Sequence, residues 1–532
     1  MKISKLGHGG IPIRTAVALG VLSALAGGAC GGNDGGGGTG AGSTSDSTAT
    51  SAPGTQGSGS ITATGTSSVT GAAPTTTGAG TGGSGVGPNN TNVGNDTTGG
   101  ASTTGVGGTA AAGGAQGSTT GTTGGGNGDR VTRTASTFTF RHFPIEANVE
   151  HVWSGPESPA ETPLSTSYDT VVLENGYLRV TLLPDYGGRI LSIVHKPTGH
   201  ELLYQNPLGT PYLMYDEIFY YDYLVIMGGI FPSFPEPEHG KYWNQPYSLE
   251  VVSESDDAIT VRMSRQDDLD LAAGVPAAYD TGRTDVRVDL DVTLRAGSSR
   301  VELATTLTNT RASAIPAFEY WTVTTLAPGS PPGDTSISLN ARIIADMDRV
   351  HLLESSWEWF GAAETRVADE VFTWDNLSYF TNWEDQGTAF ANPSYSANYA
   401  GTINYDNDVG ILRVSDNVET PGLKLWTFGK QSLDIDIDDS DEWLRPTIEM
   451  WYGITPEFWN RATLAANEVR QWSDAYFPTL GLQEITAASE YGALHLSASE
   501  TGTDTMLTLS ATATLTLPDQ SVHAILRLDG NV

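Results

Sequence analysis

Beyond residue 130 the chain alternates apolar or β-branched positions with polar ones at a period of two, the spacing of a strand with one buried face. The runs 170–174, 177–183, 259–265, 285–294, 300–307 and 410–414 all read this way. Turn-forming residues punctuate them. Asn175-Gly176 predicts a tight hairpin, Lys196-Pro197-Thr198-Gly199 the next turn, and Ala296-Gly297-Ser298-Ser299 the loop of a long hairpin. Helical spacing is weak, apart from a short piece predicted over 465–472. So many strands with distant partners predict an all-β protein, a sandwich or a barrel. From Leu482 the character changes: tryptophan is absent, Thr, Ser and Ala dominate, and alternation returns over 506–517. The reading is a main β body at 131–481 and a small β appendage at 482–532.

The first 130 residues follow other rules. Lys2, Lys5 and Arg14 precede an apolar run over 15–26, and small residues then lead to Cys30, the only cysteine. That is the pattern of a bacterial export signal. It resembles a lipoprotein signal, which implies cleavage after Ala29 and lipidation of Cys30. The usual Leu three places before the cysteine is Gly27 here, with Leu25 two places further back, so a plain signal peptide over 1–30 stays open. A lone cysteine in an exported chain has no internal disulfide partner, which favours lipidation. Acyl chains at ~0.8 kcal/mol per buried methylene would hold the protein at an outer membrane or cell surface. Without them it would be secreted or periplasmic. Residues 31–130 collapse to Gly, Thr, Ser, Ala and Asn, too little apolar surface to offset chain entropy. A disordered linker of that length has an r.m.s. span of about 50–60 Å.

Charge divides the same way. Residues 1–130 hold four basic and four acidic groups, so the net charge of −34 rests on the remainder. Such a surface repels phosphate backbones and anionic lipid headgroups, which argues against nucleic acid as a partner. It leaves neutral and cationic ligands open.

Three stretches carry a family likeness: Glu174-Asn175-Gly176-Tyr177 through Pro184, then Gly187-Gly188-Arg189-Ile190, then Lys196-Pro197-Thr198-Gly199-His200-Glu201-Leu202-Leu203-Tyr204-Gln205-Asn206-Pro207. Later blocks continue it: Gly228-Gly229-Ile230 with Phe234-Pro235, Glu319-Tyr320-Trp321-Thr322, Lys424-Leu425-Trp426-Thr427-Phe428-Gly429, and Pro446-Thr447-Ile448-Glu449-Met450-Trp451-Tyr452-Gly453. In order and spacing these resemble the galactose mutarotase-like (aldose 1-epimerase-like) domains, in particular an uncharacterised branch found beside tetratricopeptide repeats. The resemblance covers roughly 168–478 and implies a β-supersandwich whose concave face holds a sugar.

Site chemistry follows from residue types. Opening a pyranose ring needs an acid at the ring oxygen and a base at the anomeric hydroxyl. Glu449 stands where the resemblance places the catalytic glutamate. The family's histidine block is not reproduced, since the comparable segment reads Phe318-Glu319-Tyr320-Trp321-Thr322. His239, in a Pro- and Gly-punctuated loop, is the alternative acid, with an exposed loop role equally weighted. A glycosidase-like pairing of Glu449 with Glu319 or Glu236 would need the carboxyls ~5–5.5 Å apart for retention or ~6.5–9.5 Å for inversion. Trp243, Trp321, Trp426 and Trp451, with Tyr320, are the stacking candidates, of which one or two touch ligand. Arg189 is a candidate fork for a hydroxyl or carboxylate. His142, His151, His195, His200 and His351 read as structural. Asp434, Asp436, Asp438, Asp439, Asp441 and Glu442 offer Ca²⁺ enough oxygens but lack EF-hand spacing, so a solvated edge is the favoured reading and no cofactor is expected. Two functions stand: a surface-anchored carbohydrate-active protein using general acid/base chemistry for glycan hydrolysis, cleavage or epimerisation, or a non-catalytic carbohydrate-binding lipoprotein.

Overall fold

The computed structural model describes residues 129–142, 146–147, 153–154, 164–206, 228–236, 240–270, 282–330, 339–352, 366–368, 371–383, 387–392, 394–427, 447–501 and 506–518. Cys30, the expected linker, His239 and the 434–442 acidic run lie outside them. Among the described residues every regular element except two 3-10 turns is a strand, and every pairing is antiparallel. The all-β expectation therefore holds.

Two large sheets form the body. The larger has 13 strands and runs from Thr132–His142 at one edge through Arg189–His195, Trp321–Ser330, Ile448–Gly453, Gly422–Thr427 and Gly387–Ala391 to Arg349–Leu352 and beyond. The smaller has eight, from Ala341–Ala345 through Val409–Ser415, Val469–Leu480, Val301–Asn309 and Val286–Arg295 to Ser248–Glu254. Alternation places every second residue between them. Val288, Leu290, Val292 and Leu294 of one sheet share a single buried cluster with Val180, Leu182, Met450 and Tyr452 of the other. Burying each such side chain contributes ~1.5–3 kcal/mol.

One charged pair bridges that core. Arg413 donates to Asp474 Oδ1 at 3.0 Å, to Asn417 Oδ1 at 2.8 Å and to Thr420 Oγ1 at 3.1 Å. Its guanidinium also lies 3.7 Å from the Tyr452 ring centre. Tyr452 is thereby fixed from behind, and with it the strand that carries Glu449.

The tight hairpin expected at Asn175-Gly176 is present, whereas the helix expected over 465–472 is not. The first hairpin is a three-residue loop: Asn175 Oδ1 accepts the Tyr177 and Leu178 N–H groups, while Asn175 Nδ2 donates to the Arg295 and Ser298 carbonyls of the other sheet. Gly176 serves space there rather than backbone angle, because a Cβ would lie 2.9 Å from Asp129 Oδ1. The helix expected over 465–472 is instead the entry to strand Val469–Leu480, which is paired on both sides. Ala465 to Glu468 form the turn before it, in which the Glu468 N–H donates to the Ala465 carbonyl at 3.1 Å and Asn467 takes a φ of 57°.

The C-terminal segment forms a three-stranded sheet of Ala487–Ser489, Gly492–Thr501 and Met506–Leu515. Leu482 and Ala493 pack on Leu412, Val414 and Phe477. Those three side chains point out of the smaller sheet, away from the main core.

Candidate functional site

The face of the larger sheet turned away from the smaller one carries three rows of side chains, set by register. One row reads His351, Phe390, Lys424, Trp451, Val323 and Phe231 across six strands. The next reads Thr388, Trp426, Glu449 and Thr325. The third reads Gly422, Gly453, Trp321 and Ser233. The glycines explain why the Trp321 ring can lie where it does: a Cβ on Gly453 would meet it at 2.5 Å and one on Gly422 at 2.8 Å.

Glu449 is fixed rather than free to swing. Its Oε2 accepts the Trp451 indole N–H at 2.8 Å, and the residue is 2 % exposed. The Lys424 ammonium sits 4.0 Å from the centre of that same indole and 4.4 Å from Phe458. A cation over an aromatic face in a desolvated setting is attracted by ~2 kcal/mol. Directly across from Glu449 is Trp426, the one expected stacking tryptophan that stays half-buried.

A loop folds over the remaining aromatics, and three consecutive residues hold it. Glu457 Oε1 lies 2.9 Å from His351 Nδ1. Phe458 packs edge-on to Trp321 at 4.9 Å, and to Trp451 and Phe390 at 5.5 Å. Trp459 takes a left-handed φ of 69° and donates its N–H to Glu319 Oε1 at 2.8 Å. A non-glycine residue held at positive φ is costly and persists only where its surroundings impose it. Trp321 and Trp451 are consequently 0 % exposed. As the protein stands, they present no stacking face.

The other expected site residues are placed as follows. Arg189 donates Nε to the Tyr186 carbonyl at 2.8 Å, Nη1 to Gly228 at 2.7 Å and Nη2 to Trp243 at 2.8 Å, and stacks 4.4 Å from Phe231. Burial pulls its pKa down to about 10. The fork is engaged with main chain, so it clamps three segments instead of reaching a ligand. Gly187 makes room for this, since its φ is +77° and a Cβ would lie 1.9 Å from the Trp243 carbonyl oxygen. Trp243 is buried edge-on to Tyr186. Tyr320 corrects its expectation: it points between the sheets, edge-on to Trp472 at 5.3 Å, on the opposite side from Trp321.

Glu449 and Glu319 are held by different partners. Glu449 pairs with Thr325, and the four extended residues back to Trp321 span ~13 Å at the backbone. Glu319 precedes Trp321 and accepts from the Trp321 indole and the Trp459 N–H. Its acidic neighbour is Glu236; both are 0 % exposed. Burial, with a smaller contribution from Glu236, pushes the Glu319 carboxyl up to about 7, opposed by the Trp321 and Trp459 donors and by Arg461.

Sequence reading missed His351 and the Glu457-Phe458-Trp459 triplet. His351 looked like any strand histidine, and its partner lies 106 positions away. The only local signal was two aromatics beside an acid just after the block ending at Gly453. Among the described residues no group of three or more His, Cys, Asp or Glu could hold a metal ion.

Comparison with known proteins adds fold, not chemistry. A family described as "Domain of unknown function (DUF5107)" matches residues 153–275. A TPR-domain containing protein from Parabacteroides distasonis is similar at 16 % identity and a TM-score of 0.50, over 66 % of this chain and 55 % of that one. The chain thus spans about half of that protein's length. A galactose mutarotase-like protein from Clostridium acetobutylicum is similar at 12 % identity, TM-score 0.38, over 59 % and 96 %. A galactose mutarotase related enzyme from Lactobacillus acidophilus is similar at 14 % identity, TM-score 0.36, over 59 % and 99 %. The pair of large antiparallel β-sheets expected from residues 168–478 is the fold the chain has.

Proposed function

We propose that this chain is a carbohydrate-binding protein which takes a sugar or glycan on the outer face of its larger sheet, against Trp426 and Glu449. One observation carries the reading: a half-buried indole stands directly across from a carboxylate whose orientation is set by a second indole. Sugars are held by this combination, the C–H face on the ring and hydroxyls on fixed polar groups. The neutral ligand suits a chain of net charge −34. In the same proposal Cys30 is lipidated and residues 31–130 are the spacer that carries the body clear of a bacterial outer membrane or cell surface.

A second reading makes the protein an enzyme of hydrolase, lyase or epimerase type, and His351 favours it. A histidine oriented by the Glu457 carboxylate has the arrangement of a general acid or base. It stands three strand spacings from the strand of Glu449, ~14 Å at the backbone, which suits a substrate longer than one ring. A glycan array probed with wild-type and Glu449→Gln protein tests both. Binding by wild type that the variant weakens supports the binding role. Turnover abolished by Glu449→Gln with affinity retained supports catalysis, and wild type inert in both assays rejects the proposal.

A further inference from the structure

We propose a second saccharide site, in the groove between the C-terminal three-stranded sheet and the smaller main sheet, where a neutral sugar unit packs on Tyr379. The groove has a volume of about 580 Å³, within the range of small-ligand clefts. It is independent of the outer face of the larger sheet and shares no residue with it.

Its walls come from both bodies. Arg342, Tyr405 and Asp408 belong to the smaller sheet and its turns, and His495 to strand Gly492–Thr501. Glu484 belongs to the connector between them. Tyr379 is 41 % exposed, and Arg342 stacks 4.9 Å from its centre. The guanidinium is held in place: Nε donates to Ser378 Oγ at 3.2 Å and Nη1 to Glu484 Oε1 at 2.9 Å. The Tyr405 hydroxyl donates to the Gln483 carbonyl at 2.8 Å, tying the connector to the sheet.

The lining selects the ligand class. One guanidinium faces two carboxylates, Asp408 and Glu484, so phosphate, sulfate and uronate ligands are disfavoured. Long apolar chains are equally unsuited to walls of charged and hydroxyl groups. A neutral polyol fits each part: an apolar ring face against an exposed tyrosine, and hydroxyls to pair with the carboxylates. The C-terminal appendage thereby acquires a role, completing a binding groove that the main sheet alone would leave open on one side.

The test is titration calorimetry with saturation-transfer NMR on the full chain. The probes are the neutral oligosaccharides cellohexaose, xylohexaose and mannohexaose, with hexagalacturonate as the anionic control. Tyr379→Ala is expected to weaken neutral-oligosaccharide binding about tenfold. Tyr379→Phe is expected to keep it, because the ring supplies the contact. Glu449→Gln is expected to leave the Tyr379-dependent binding unchanged, which separates this site from the one proposed above. Tyr379 is surface-exposed, so an unchanged melting temperature will accompany a genuine binding loss. The proposal is overturned if all three neutral probes fail to bind, if Tyr379→Ala binds them as wild type does, or if the only Tyr379-dependent ligand is hexagalacturonate.

Discussion

Replacing Glu319 by glutamine isolates a stability change that depends on pH. Glu319 is 0 % exposed, and its carboxyl is raised from an ordinary 4.5 to about 7, chiefly by burial. In the folded protein it holds its proton to higher pH than in the unfolded chain, so the native state binds more protons between these values. Stability is therefore fully present below pH 4.5 and falls as pH rises to about 7, after which this contribution is flat. The shift of about 2.5 units, at 1.36 kcal/mol each, corresponds to ~3 kcal/mol. Glutamine cannot ionise, keeps one oxygen to accept the Trp459 N–H, and loses the weaker 3.2 Å bond from Trp321. Urea unfolding of both proteins from pH 4 to pH 8 reads the difference directly. Wild type is expected to lose ~2–3 kcal/mol relative to Glu319→Gln across that window. Parallel curves would refute the argument, and so would a wild type that gains on the variant as pH rises.

Other perturbations test the architecture around the site. Phe458→Ala uncovers Trp321 and Trp451; tryptophan emission is expected to shift to the red, with a stability loss of ~2–3 kcal/mol, below the ~3–5 kcal/mol of a fully buried phenylalanine. Asp474→Asn leaves the buried Arg413 charge unpaired and is expected to cost ~3–5 kcal/mol by denaturant unfolding. Gly187→Ala drives a methyl group to 1.9 Å from the Trp243 carbonyl oxygen at a φ of +77°, and is expected to cost at least ~3 kcal/mol or to abolish soluble expression.

What sequence made legible was what depends on near neighbours. Strands Leu178–Leu183, Ala258–Gln266 and Val286–Arg295 fall within one or two residues of their alternating runs, because one face of each is core and the other is less buried. The tail of strand Val469–Leu480 showed no alternation because it is buried on both faces, by the main core at Tyr476 and by the appendage at Phe477. A strand flanked by two layers loses its alternation. The blocks around Trp321 and Glu449 showed that both strands would be present, but not the register that sets Glu449 opposite Thr325. Tyr320 and Trp321 are adjacent in sequence and face opposite sides. The loop that covers the tryptophans could not be foreseen, since Phe458 meets Phe390 and Trp321 only after strands distant in sequence have paired.

The most direct test of the central claim is oligosaccharide affinity in a Tyr379→Ala background, measured before and after Trp426→Ala. If the face bearing Trp426 and Glu449 holds the sugar, removing that ring is expected to weaken the remaining binding about tenfold or more while the fold, monitored by circular dichroism, is unchanged. Undiminished affinity in the double variant would place the ligand elsewhere and contradict the account.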